Sequence, residues 1–256
     1  MAGSKTLVLG GTGPAGLCLL RELVFRKHEV VVYARTPSKI PEDLASNPLI
    51  EVDRQTVAEN PNSRLLTRLS QIVKGDMDDR AAMSPAMAKS SAVISLLGPD
   101  VSRDRGIDPT KMAGYYGSCV IPLMREHGVR RILFMGTITI SVPEDRWTFF
   151  QSMVVGFMRT LASRLYHTMH NIKNTFEKEA SDLDWTMFRI AMIPGESDEE
   201  SWRRDREDGE VFAGMVGEKG WSKSIKRSAL ARWLVDTVEN NDGKWTKKMP
   251  AVGKLA

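Results

Sequence analysis

Cysteine is scarce in this chain of 256 residues. Only Cys18 and Cys119 are present, far apart and each inside a stretch of helical period. That excludes a disulfide framework and argues against a metal knuckle, so both are read as core thiols and no metal is expected. Long apolar runs are missing as well. The most apolar long stretch, Phe149 to Leu165, is broken by Gln151, Arg159 and Arg164, so it cannot span a bilayer and no membrane is expected as a partner. Nor is there a block of charge of one sign. The net charge is +4 and the isoelectric point near 9.1, but basic and acidic residues interleave, as in Arg203-Arg204-Asp205-Arg206-Glu207-Asp208. With no basic stripe carrying stacking aromatics, this reads as solvated surface and nucleic acid is not an expected partner. The start, Met1 to Lys5, runs directly into Leu7-Val8-Leu9 and leaves no room for a signal sequence, so the expected address is the cytoplasm.

What is there is an ordinary folded composition, 42% hydrophobic and 27% charged, at a length that suits one domain over residues 1–256. Apolar runs of strand length alternate with stretches of helical period, the pattern of βαβ units feeding a parallel sheet buried on both faces. Strands are predicted at Thr6–Leu9, Val30–Tyr33, Gln71–Lys74, Ala92–Leu97, Arg131–Met135 and Trp185–Ile190. The stretch between Pro41 and Leu69 reads as an insertion, and Leu49-Ile50 within it is open between strand and loop. Helices are predicted after the first strand, from about Pro109 to His127, twice between Trp147 and Ala180, and from about Lys226 to Asn240. The fold class is therefore α/β, a Rossmann-type doubly wound parallel sheet, with ligands expected at the edge where the strands end.

Between the first strand and its helix lies Gly10-Gly11-Thr12-Gly13-Pro14-Ala15-Gly16. The glycines fall where a strand turns sharply, where backbone must approach a pyrophosphate and where helix meets sheet. Pro14 takes a first-turn position where its missing N–H does no harm, and the amides of that turn, with the helix dipole, favour phosphate. Gly10, Thr12, Gly13, Pro14, Ala15 and Gly16 are thus candidate dinucleotide ligands. An NAD site places an acid at the end of the second strand, but Tyr33-Ala34-Arg35 has none. Arg35 can fork onto a 2′-phosphate and Lys39 adds a second charge, so NADP(H) is the expected cofactor. Asp76, past the third strand, could accept from an adenine amino group, and Leu97 and Gly98 end the fourth strand on the same edge.

Together the glycine loop, Ala34-Arg35, Gly75-Asp76-Met77-Asp78-Asp79 and Asp184-Trp185-Thr186-Met187-Phe188-Arg189 resemble the NmrA-like, NAD(P)H-binding group of atypical short-chain dehydrogenases/reductases, over roughly Lys5 to Asn240. The resemblance implies an NADPH-dependent oxidoreductase acting on a hydrophobic small molecule, in a group that also holds redox-neutral tailoring enzymes of secondary metabolism and silent NADP sensors. An isomerase or cyclase, and a regulator without catalysis, therefore stay open. The short-chain mechanism needs a Tyr acid, a Lys four residues later and a Ser or Thr after the fifth strand. Thr137 and Lys173 match, with Glu177 at the family's spacing, but position 169 is Met169, which cannot donate a proton. Tyr166 and His170 lie at i−7 and i−3 from Lys173 on one helix side, and His170 is the better acid on its ordinary pKa. Segments 98–109, 147–170 and 196–220 are expected to build the substrate region. The Met- and aromatic-rich run from Trp147 to Met158 could line a pocket or a dimer contact, so the molecule is expected to be a monomer or a homodimer.

Overall fold

The computed structural model of the chain describes residues 5–51, 72–73, 77–99, 106–240 and 242–256. Strand β1 (Lys5–Leu9) leads through the glycine loop into helix α1 (Pro14–Phe25), and β2 (Val30–Tyr33) follows. A single turn at Pro37–Lys39, the short α2 (Glu42–Ala45) and the two-residue strands β3 (Ile50–Glu51) and β4 (Ile72–Val73) come next. Then run α3 (Arg80–Ala88), β5 (Ser90–Ser95), α4 (Lys111–Tyr115), a π-helical stretch at Tyr116–Val120 and α5 (Ile121–Glu126). Strand β6 (Arg131–Thr137), α6 (Phe149–Leu161), α7 (Ser163–Glu179), β7 (Asp184–Ile190), α8 (Glu199–Asp205), β8 (Val211–Gly214), α9 (Arg227–Asn240) and β9 (Ala251–Lys254) complete the order.

Among the described residues nine strands form one sheet in the order β3-β2-β1-β5-β6-β7-β9-β8, with β4 also paired to β2. Every pairing is parallel except β8 with β9. The side chains of a strand alternate between faces, and here both faces are covered. Leu7, Leu9, Val31 and Val93 pack with Met83, Leu123, Ile172 and Phe176 in one core. Val8, Val30, Val32 and Ile94 pack with Leu19, Leu23, Leu230 and Leu234 in the other. The order reverses between β1 and β5, which opens a crevice beyond their carboxyl ends.

Several expectations change in detail. Leu49-Ile50 resolves into β3 beginning at Ile50, while most of the expected insertion, residues 52–69, lies outside the described residues. Of the strand Gln71–Lys74, only Ile72–Val73 is described. The helix expected from Pro109 begins at Lys111 and loosens into the π-helical stretch, where the Tyr116 hydroxyl meets Ser95 Oγ at 2.5 Å. Within it a Cβ on Gly117 would stand 3.0 Å from Glu179 Oε2 of α7, a close approach, whereas Gly114 faces open space. The antiparallel pair β8 and β9 was not anticipated beyond the short apolar run at Val211-Phe212.

Candidate functional site

The glycine loop works through space. Gly10 has φ +80°, and a Cβ on it would lie 2.9 Å from the Leu96 carbonyl carbon on the neighbouring strand end. A Cβ on Gly16 would lie 2.3 Å from the Gly10 carbonyl oxygen. Both positions are closed to larger residues by the fold itself. Gly13 differs, because the nearest atom to its Cβ would be the Gly10 oxygen at 3.7 Å. As the N-cap of α1, with Pro14 next, Gly13 brings no side chain to the amides of the first turn. Those amides and the helix dipole form a seat for anionic oxygen.

Above the loop lies a groove of roughly 250 Å³, lined by Gly10, Thr12, Gly13, Arg35, Lys39, Leu97 and Gly98 together with residues not anticipated from sequence. The latter are Leu9, Tyr33, Ala34, Thr36, Met77, Leu96 and Tyr115. Tyr33 and Tyr115 are buried, and burial pushes the Tyr115 hydroxyl well above the usual phenol range. Among the described residues lining the groove no carboxylate appears, and Arg35 and Lys39 are exposed without an ion-pair partner. Pro14, Ala15 and Gly16 form the first turn of α1 beside the groove rather than its wall. Asp76 lies outside the described residues, as do residues 100–105 of the expected segment 98–109.

A second cluster joins the end of β6 to α7. Thr137 Oγ1 and Thr139 Oγ1 stand 2.5 Å apart. A hydrogen bond to the Thr139 backbone holds the His170 ring, whose Nε2 is buried with no partner among the described residues. The Tyr166 and His170 rings lie 4.2 Å apart between centroids. One turn on, Lys173 Nζ donates to Glu177 Oε2 at 2.7 Å. Thr137, Tyr166, His170 and Lys173 therefore share one neighbourhood, though none of the four lines the groove.

The pKa advantage expected of His170 changes, and Met169 finds its place. Burial, helped by the nearby positive charge of Lys173, pushes the His170 ring below the ordinary histidine value. A ring that is neutral at pH 7 holds no imidazolium proton to give, so His170 loses the advantage as acid that its unperturbed pKa suggested. Met169 packs with Ile172 and Phe176 in the core.

Buried Arg189 fixes the loop over this cluster. Its guanidinium donates to both oxygens of Asp145, at 2.6 and 2.8 Å, and to the carbonyls of Ile140 and Met249. Asp145 also accepts from the amides of Val142 and Val216. Burial would raise the Asp145 carboxyl, but these hydrogen bonds, above all those from Arg189, hold it below the usual range. Among the described residues no group of three His, Cys, Asp or Glu side chains could hold a metal, and no helix is long and apolar enough to cross a membrane.

A family model for NAD(P)H-binding proteins matches residues 58–241. The fold is similar to that of an oxidoreductase from Lactococcus lactis, with 17% identity over 98% of this chain and 92% of that one and a TM-score of 0.60. It is also similar to an anaerobillin reductase from Escherichia coli O157:H7, with 12% identity over 98% and 97% of the two chains and a TM-score of 0.59. A candidate NADH-flavin reductase from Streptococcus pneumoniae is 20% identical over 98% and 100%, with a TM-score of 0.58. At such identities the likeness establishes the fold.

Proposed function

The chain belongs to the NAD(P)H-binding family, and on that premise we propose that it is an NADPH-dependent reductase of a hydrophobic small molecule. The observation that carries the choice of NADPH is the groove: the first turn of α1 at the glycine loop, exposed Arg35 and Lys39 with no ion-pair partner among the described residues, and no carboxylate among the described lining residues. The residues fit the group, because the space at Gly13 is left open by the protein and the cations suit a 2′-phosphate. Gly10, Thr12, Gly13 and the first turn of α1 would hold the pyrophosphate, Arg35 and Lys39 the 2′-phosphate, and Lys173 the ribose hydroxyls. When bound, NADPH supplies a hydride.

The chain's own part is to place the substrate and deliver a proton. Thr137 orients the reacting oxygen by donating to it, with Thr139 holding its hydroxyl in place. The neutral His170 ring beside Tyr166 makes Tyr166 the proton donor in this reading, and the partnerless Nε2 an acceptor that can polarise a phenol or a substrate hydroxyl. Segments 98–109, 147–170 and 196–220 form the substrate region of a single domain, and the cytoplasm is the address that goes with this reading.

The test is nicotinamide absorbance with a panel of ketones, enones, quinones and imines. NADPH oxidation with any of them supports the proposal. Turnover without oxidation gives the scaffold to an isomerase or cyclase, and binding without turnover to a sensor. For the cofactor itself, Arg35→Ala is expected to weaken NADPH about ten- to hundredfold while leaving NADH nearly unchanged, since a charge-assisted fork is lost. Equal affinity of the unmutated protein for NADPH and NADH in a titration removes the argument.

A further inference from the structure

Five of the eight large hydrophobic side chains that the described residues expose fall within one stretch, Trp147 to Leu161. Phe149, Met153, Phe157 and Leu161 recur every four residues along α6, each more than half exposed, and Trp147 precedes them at 78%. This places them in one stripe about 18 Å long at 1.5 Å per residue. The adjoining face of α6 is already used, because Phe150 and Val154 pack on Ile138 and Val216, and Gln151 donates to the Ile138 carbonyl. The stripe is not a displaced part of the core, and a monomer in water does not ordinarily leave so much contiguous apolar surface open.

Along the helix itself the charge is of one sign. From Arg146 to Phe176 the chain has no Asp or Glu, whereas Arg146, Arg159 and Arg164 lie within or beside the helix. Lys223 adds a fourth cation, its Nζ 4.7 Å over the Phe150 ring. Exposed Glu144, just upstream, is the nearest free acid along the chain. A helix lying flat with aromatic and aliphatic side chains down and arginines at its flanks is the pattern of an interfacial segment, and Trp prefers the headgroup level.

We propose that α6 docks the protein peripherally on an anionic lipid surface, with the Trp147–Leu161 stripe in the headgroup boundary and Arg146, Arg159, Arg164 and Lys223 on acidic headgroups. A second copy is the less suitable occupant. A two-fold pairing of this stripe sets the same patch against itself, so arginine would meet arginine with no acid in the stretch to separate them. The expectation of no membrane partner rests on the lack of a stretch that can span a bilayer, and lying on a bilayer is a different property, so the proposal departs from that expectation. The proposal concerns the outward face of α6, within the segment 147–170 given above to the substrate region, and nucleotide binding does not enter its test.

The full chain is mixed with vesicles of phosphatidylcholine containing about one third phosphatidylserine, and with phosphatidylcholine alone, then pelleted. Binding to the anionic vesicles is expected to exceed binding to neutral ones by at least about tenfold and to fall as salt rises. Phe149→Ser with Phe157→Ser should lose binding, and Arg159→Gln should weaken it about fivefold, the increment typical of one surface cation. Circular dichroism melts establish that each variant folds, and analytical ultracentrifugation reports the state of assembly. Failure of the folded, unmutated protein to pellet overturns the proposal, as does equal binding to neutral vesicles or undiminished binding of the double variant. A dimer that the double variant converts to monomer also overturns it and assigns the face to a second copy.

Discussion

Gly13 leaves space that no atom of the described residues occupies, and Gly10 and Gly16, three residues to either side, leave none. The three glycines therefore separate by experiment. Gly13→Val is expected to abolish binding of NADPH and NADH with a melting temperature close to the parent's, because the branched side chain enters only the phosphate seat. Calorimetric titration of the folded variant checks this, and unchanged affinity would put the phosphates elsewhere. His170 makes a prediction about pH. Its folded pKa lies below the unfolded value, so the unfolded chain takes up the proton first. The stability that rests on a neutral His170 is whole above about pH 6.5 and declines as pH falls toward its folded pKa. Urea midpoints should drop across that window, less steeply in His170→Gln; equal slopes would show that burial of this ring carries no such cost. The place of the glycine loop in the groove was legible because its seven residues are contiguous, and that of Arg35 because it follows the strand that an apolar run marks. Tyr33 apart, the unanticipated lining residues Met77, Leu96 and Tyr115 reach the groove from other elements. The spacing of Tyr166, His170 and Lys173 was equally plain, but the direction of the His170 shift depends on burial, which outweighs the hydrogen bond to the Thr139 backbone and which no spacing shows.

Among the elements, the connection from β6 to α6 depends on one ion pair. Arg189 is fully buried in β7, and Asp145 is its only charged partner among the described residues. Asp145→Asn leaves a buried guanidinium without a counter-charge and should cost about 3 to 5 kcal/mol in chemical unfolding. A loss within error would mean that water or a rearranged loop replaces the carboxylate. Five of the six strands read from sequence correspond to runs whose two faces are both buried, since such strands need only be apolar to be seen, and of the sixth only Ile72–Val73 is described. Strand β3, two residues long, is too short to display a period. In β9 the run Ala-Val-Gly-Lys carries one large apolar side chain, and its strand character comes from pairing with β7 and β8 rather than from composition. The stripe on α6 was legible as Met and aromatic enrichment, while its exposure depends on which face Ile138 and Val216 already occupy.

Across the molecule, the two cores on either side of the sheet make stability depend on residues far apart in sequence. Val252 of β9 packs in the same core as Val8 of β1 and Leu234 of α9. Val252→Ala should lower stability by about 2 kcal/mol, from lost burial and a residual cavity, with the slope on urea unchanged. A change in that slope would instead indicate that the far edge unfolds separately. The placement of β9 matters in one further way. It fills an interior position of the sheet, between β7 and β8, although both neighbours are synthesised before it. During translation β7 thus presents an unpaired edge until residues 251–254 clear the ribosome tunnel. Throughout the emergence of α8, β8 and α9 that edge is open to pairing with another strand, so the strand order places the risk of misassembly late in elongation.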